Sequence, residues 1–404
     1  MKSRIAAIAF LACALPAAGQ QDAAAARRGV ESVTKLIAQR PDDPTLYFYL
    51  ARFEAQAGDA KASTAALEKV LELGEGILPV REFGFENVWR DAGFQAVRAK
   101  LEARLPRMDT APVAFRLEDT HLLPEGIAYD PASKTFFVGS TAQKKIVRVG
   151  PGRAVADFSK PADRLDYVLG LAIDSPRRRL YAVSTSALTE EGEKNPRNTV
   201  VAYNIDNGEL VRSVQIVAAR QLNDVAVAPG GKIYATDSAA GAVYEIEVEG
   251  PVREIIPPDY LRGVNGIAIG TDPNMVYAAI STGIVVIDPR DSKYVRLPLP
   301  PRESVASIDG LYWWQGHLIG VQNVTSPGRV ILMTLAKDGR SITKVETLLS
   351  HHHAALDEPT TGVVTDYGFY LLAGTQVSRL NRKGKIEQED SLDPPTVLRI
   401  ALPR

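Results

Sequence analysis

The chain has 404 residues, 45% of them hydrophobic, and its 47 basic side chains nearly balance 48 acidic ones. A net charge of −1 leaves no electrostatic footprint for nucleic acid or an anionic membrane surface, so a small molecule or another protein is the expected partner. The length allows more than one domain.

The first nineteen residues stand apart. Lys2 and Arg4 precede an apolar run over 5–15, and Ala17-Ala18-Gly19 follow. This is the charged, hydrophobic, small-residue order of a secretory signal peptide (1–19), too short to span a membrane. Cleavage is expected near Gly19, which makes the protein exported, periplasmic or secreted. The only cysteine, Cys13, falls inside this segment, so the mature chain is expected to have no thiol and no disulfide. A rival reading makes Cys13 a lipoprotein anchor behind Leu11-Ala12. Phe10 and the short apolar run weigh against it.

Residues 22–107 are rich in Ala, Leu, Glu, Lys and Arg, all good helix formers. "PDDPTLYFYLARFEAQAGDAKASTAALEKVLELG" (41–74) reads as two amphipathic helices broken at Gly58-Asp59. It resembles one tetratricopeptide repeat, with Tyr47, Leu50 and Ala51 in the first helix and Ser63, Leu67 and Val70 in the second. "FENVWRDAGFQAVRAKLEARL" (85–105) reads as a further helix with Phe94, Val97 and Leu101 on one face. Such a domain either docks a partner protein or caps the domain that follows. A single repeat lacks the long concave surface of these arrays, which favours the cap.

After Pro106 the texture changes to short strands and Gly/Pro turns. A motif recurs: "LPEGIAYD", "VLGLAID", "LNDVAVA", "VNGIAIG", "IDGLYWW" and "TTGVVTD". Its variable position holds Glu125, Leu169, Asn223, Asn265, Asp309 and Thr361, spaced 44, 54, 42, 44 and 52 residues apart. Second strands follow, such as "KTFFVGST", "KIYATDS" and "HLIGVQN", and then third strands. About four strands per unit at a period near 45 predict a β-propeller. Six units fit in 112–404, and "PVAFRLED" is placed to give the last blade its outer strand and close the ring. The expected fold is therefore mainly β: a six-bladed β-propeller preceded by a small all-α, tetratricopeptide-like domain.

In a propeller the innermost strands run side by side around a central channel, so equivalent positions form a ring. Glu125, Asn223, Asn265 and Asp309 bring hard oxygen ligands to it, two of them carboxylates. That set suits Ca²⁺ or another divalent cation. No thiolate is available and no histidine falls on the ring, which argues against a typical zinc site. Asp224 is placed to orient a ligand or to hold a second ion below. The plainer reading is that strand starts beside a wet channel are polar, and that Asn and Asp are common in turns. Four such residues at equivalent places outweigh it.

These motifs resemble the gluconolactonase/regucalcin family and its paraoxonase relatives, over about residues 111–381. The resemblance rests on "PEGIAYD", "LNDVAVAPGGKIYATDS", "VNGIA" and "IDGLYW". It implies a catalytic divalent cation on Glu125, Asn223, Asn265 and Asp309, with Asp309 also accepting a proton from the attacking water. It likens Asp224 to a ligand of a second, structural calcium. The implied activity is cation-dependent hydrolysis of a lactone or ester. The chain departs from the family at Leu169, where paraoxonases carry a catalytic histidine and gluconolactonases an Asn-Asp-Gly. Loops on the same face carry Arg164, Arg220, Arg262, Arg302 and His351-His352-His353, which would meet an acidic substrate or simply face solvent. The competing class is a non-catalytic propeller with a structural ion; a quinone-dependent redox propeller finds no evident cofactor platform.

Overall fold

Three aspartates start three of the helices. Asp43 accepts from Thr45 N at 3.1 Å, Asp59 from Ala62 N at 2.8 Å and Asp91 from Phe94 N at 2.8 Å. Each such cap contributes about 1 kcal/mol by satisfying an otherwise orphaned helix amide. In the computed structural model, which describes residues 23–247 and 250–403, the helices are α1 (Ala23–Ile37), α2 (Pro44–Gln56), α3 (Ala60–Leu73) and α4 (Ala92–Glu102). The signal-peptide reading of 1–19, with Cys13, lies outside the described residues. Gly58, with φ +83°, makes the break between α2 and α3. The helix expected over 85–105 is shorter: a 3-10 turn at Glu86–Val88 comes first, and α4 begins only after Asp91 takes the cap position. Leu46, Phe48, Leu67, Phe85, Phe94 and Leu101 belong to one buried core shared by these helices.

The remainder forms six four-stranded antiparallel sheets, the blades of a six-bladed propeller. Blades 1 to 5 run from inner to outer strand in chain order. The inner strands of blades 1 to 5 are Pro124–Asp130, Tyr167–Asp174, Leu222–Val227, Ile267–Ile269 and Ile308–Trp314. Blade 6 is built from Gly362–Thr365, Gly368–Gly374 and Thr396–Ile400, and Val113–Arg116 from the other end of the repeats completes it. Tying the first strand into the last sheet closes the ring and leaves only the short outer edge of each blade. Among the described residues no helix is long and apolar enough to cross a membrane.

At Gly170 and Gly266 the inner strands of adjacent blades approach one another so closely that a side chain has no room. A Cβ at Gly170 would lie 2.7 Å from the Asp224 Cα of the next blade, and one at Gly266 would lie 2.5 Å from Leu311 N. Glycine is the only residue that fits where backbone meets backbone. Gly266→Ala is therefore expected to destabilise the propeller by about 2 kcal/mol or more, as overpacking against unyielding atoms does. A urea midpoint unchanged from wild type would contradict that packing argument.

Candidate functional site

In four of the six blades the residue at the variable position falls at a β-bulge. In blade 3, Leu222 pairs with Asp237 but Val225 pairs with Ala235, leaving Asn223 and Asp224 opposite a single residue. The same irregularity falls at Leu169-Gly170 in blade 2 and at Asp309-Gly310 in blade 5, and a register shift falls at Glu125 in blade 1. A bulge bends the strand and re-aims its side chains, which lets a strand begin with residues that strands disfavour. All six variable residues are buried.

Asp309 is the most tightly held of them. Asn265 Nδ2 donates to its Oδ1 at 2.7 Å, and Asn323 Nδ2 donates to its Oδ2 at 2.7 Å and to Pro359 O at 3.1 Å. The structure thus joins Asn265 and Asp309 directly. Glu125 lies close enough to Asp309 and Asp224 for their charges to act on it, but desolvation by burial is the first cause that lifts its carboxyl well above the usual range. Burial also raises Asp309, to about 6, against the pull of Asn323 and Asn265. Burial raises Asp224 to about 7, opposed by the amides of Ile267 and Val225. Those amides donate to Asp224 Oδ2 at 3.1 Å and Oδ1 at 2.8 Å, so this carboxylate ties the inner strand of blade 3 to that of blade 4.

Two oxygens are left over. Glu125 Oε2 and Asn223 Oδ1 are buried and accept no hydrogen bond. An unsatisfied buried acceptor costs roughly 1–3 kcal/mol. Both are hard oxygen donors, at equivalent positions of blades 1 and 3, of the kind a hard cation takes. Among the described residues no group of three His, Cys, Asp or Glu side chains is spaced to hold a metal, so an ion here depends on the asparagines.

Asn323 and Tyr312 were not among the residues singled out from the motifs. A signal for Asn323 existed: in the other blades the residue after the second strand is Ser or Thr. Thr141, Ser238 and Thr375 donate to loop carbonyls of Leu123, Val264 and Glu358, each at 2.6 Å. Blade 5 alone puts an amide there, and it reaches Asp309 instead. Tyr312 lies one turn of the pleat beyond Asp309; its hydroxyl accepts from Gly362 N at 2.8 Å, and burial raises its pKa. No spacing rule marks it.

The structure places the expected mouth cations variously. Arg220 is exposed on the loop entering blade 3, and Arg262 pairs with Asp259 at 2.7 Å. Arg302 pairs with Glu75 of the helical segment at 3.2 Å. The histidines lie at the seam between helices and propeller. His351 is 3.6 Å from Glu102 of α4, His352 Nδ1 meets Ser350 Oγ at 2.9 Å, and His353 Nε2 meets Ala111 O at 2.9 Å. Leu169 is packed into an apolar cluster with Leu222, Val225 and Ala235.

No family model and no curated protein matches the chain. Solved structures similar to it include a gluconolactonase of Xanthomonas campestris, at 15% identity and TM-score 0.47, covering 74% of this chain and 99% of that one. A luciferin-regenerating enzyme matches at 13% identity and TM-score 0.48, covering 72% and 96%. A chain of a nidogen/laminin complex matches at 14% identity and TM-score 0.45, covering 57% and 81%. At such identities no activity passes from any of them to this chain.

Proposed function

We propose that the protein is an exported, divalent-cation-dependent hydrolase of lactones or esters, of the gluconolactonase kind. Glu125, Asn223, Asn265 and Asp309 would hold a Ca²⁺-like ion. The observation that carries this reading is the pair of partnerless buried oxygens, Glu125 Oε2 and Asn223 Oδ1, at equivalent strand starts. A cation bound there supplies Lewis-acid polarisation of a carbonyl and stabilisation of the developing oxyanion.

The chain's own residues do the rest. Asn265 and Asn323 each donate to one oxygen of Asp309, which fixes the plane of its carboxylate. Asp309 is the group that takes a proton from an attacking water. Asp224 keeps two adjacent inner strands in register beneath the site. Export rests on the order of residues in 1–19.

A second reading draws on Leu169. Its apolar, buried side chain provides no base at blade 2, so the propeller would bind its partner or ligand around a structural ion without turnover. A panel of sugar and alkyl lactones, assayed with calcium and with a chelator, separates the two. Slow opening that stops with chelator supports the hydrolase. No opening above the buffer rate by calcium-loaded protein leaves the binding propeller.

A further inference from the structure

In an antiparallel blade, the face holding the start of the inner strand also holds the loop between the second and third strands. Asn323 and the loop 323–328 are therefore on the same face of blade 5 as Asp309. The helices sit on this face too, over blades 4 and 5. Tyr49 of α2 donates to Ser281 O at 2.7 Å and pairs with Ser307 Oγ at 2.9 Å, and Thr45 pairs with Ser304 at 3.1 Å.

The segment 74–80, which follows α3, is bound to the loop that carries Asn323. Leu78 N donates to Thr325 O at 2.9 Å, and Glu75 N donates to Arg302 O at 2.7 Å. Arg329, the first residue after the loop, is buried beneath Gly76. A Cβ at Gly76 would lie 2.6 Å from the guanidinium carbon, and Gly76 has φ +73°. The guanidinium donates through Nε to Gln322 Oε1 and through Nη2 to Ser304 O at 3.0 Å. Gln322 in turn donates to Thr325 Oγ1 at 2.9 Å. The loop is thus gripped at its start through Gln322, in its middle at Thr325 and at its end through Arg329. Asn323 lies between two of these gripped residues, Gln322 and Thr325.

We infer that the segment 74–80 is a positioning element of the site: through Arg329 and Thr325 it fixes Asn323, and through Asn323 it sets the second oxygen of Asp309. The functional part of this inference rests on the cation-site reading above; the mechanical part does not. A helical cap with no such role would change overall stability alone. A positioning element changes the site as well, since coordinating groups must be held within about 0.5 Å of their working geometry.

The test uses the full chain and a double-mutant cycle of Gly76→Ala and Asn323→Ala. Amide exchange of residues 306–312 is followed without added ion, and calcium binding is followed by calorimetry. Each single variant is expected to speed exchange over 306–312, to leave blades 1 to 3 protected and to weaken calcium binding about 10- to 100-fold, the range for losing a group that orients a ligand. The double variant should be no worse at the site than Asn323→Ala alone, because both act through one contact. Full addition of the two effects would overturn the inference. So would Gly76→Ala exchange that rises only over 74–80 with wild-type calcium binding. Should Gly76→Ala fail to fold, Arg329→Lys replaces it, keeping the charge and losing the fork. If the wild type binds no calcium, the cation-site reading fails and the exchange cycle alone decides the coupling.

Discussion

Glu125→Gln is expected to weaken calcium binding by at least about 100-fold, roughly 3 kcal/mol, while raising the melting temperature of the ion-free protein at pH 7.5. The two effects have opposite signs, and that is what identifies a ligand. Glu125 is buried, one of its oxygens accepts nothing, and Asp309 and Asp224 repel its charge. Without a cation, replacing that carboxylate with a neutral amide relieves the repulsion and much of the desolvation cost. With a cation, the same replacement removes the strongest ligand. Calcium should accordingly raise the melting temperature of the wild type by mass action and barely move that of Glu125→Gln. A structural glutamate would behave differently: its replacement would lower stability with or without calcium. Melting curves of both proteins with excess calcium and with chelator distinguish the cases.

The ion-free protein is expected to melt at a higher temperature at pH 5 than at pH 7.5. Glu125, Asp309 and Asp224 all hold their protons more tightly in the folded chain than an unfolded one would, with Asp309 raised to about 6 and Asp224 to about 7. The folded state therefore binds more protons across this window, and stability falls as pH rises. The contribution of Asp309 and Asp224 is complete below the unfolded value near 4 and is lost through about pH 6 to 7, and that of Glu125 has the same sign. Asp130 and Asp288 are held near 2 by their arginine partners and nearby donors, so they lose stability only below the window. His351, lowered chiefly by burial, acts with the opposite sign near pH 6.5. The difference between wild type and Glu125→Gln cancels these other groups. That difference should shrink toward pH 5 and close at pH 7.5 when calcium is added. A flat difference across the range would mean that Glu125 keeps an ordinary carboxylate environment.

The blades were legible because each repeats one pattern: a polar or small residue, a glycine, then an apolar strand. The repetition survives single departures such as Asp224, which stands where the other blades have glycine and puts its carboxylate between two inner strands. Even ring closure could be read, since "PVAFRLED" is a strand without a unit of its own. The bulges were not legible, because register depends on the neighbouring strand. Without them the polar starts at Asn223 and Asp309 look like loop ends. The sequence marks Asn323 only as an amide where the other blades carry Ser or Thr; what the amide does depends on two strands of one blade coming together at Asp309. The helix expected over 85–105 was overlong because amphipathic spacing runs on through residues that Asp91 and the 3-10 turn exclude. The histidines were adjacent in sequence to a mouth loop, but the linker at Met108 and Ala111 and α4 occupy that flank of the face.

Diffraction from crystals grown with calcium shows whether an ion occupies these strand starts. An ion is expected, bounded by Glu125, Asn223, Asn265 and Asp309, with oxygens at about 2.3–2.6 Å and with Glu125 Oε2 and Asn223 Oδ1 among them. Calcium-saturated crystals with no ion at these strand starts, and with those two oxygens satisfied by protein or water, would contradict that expectation.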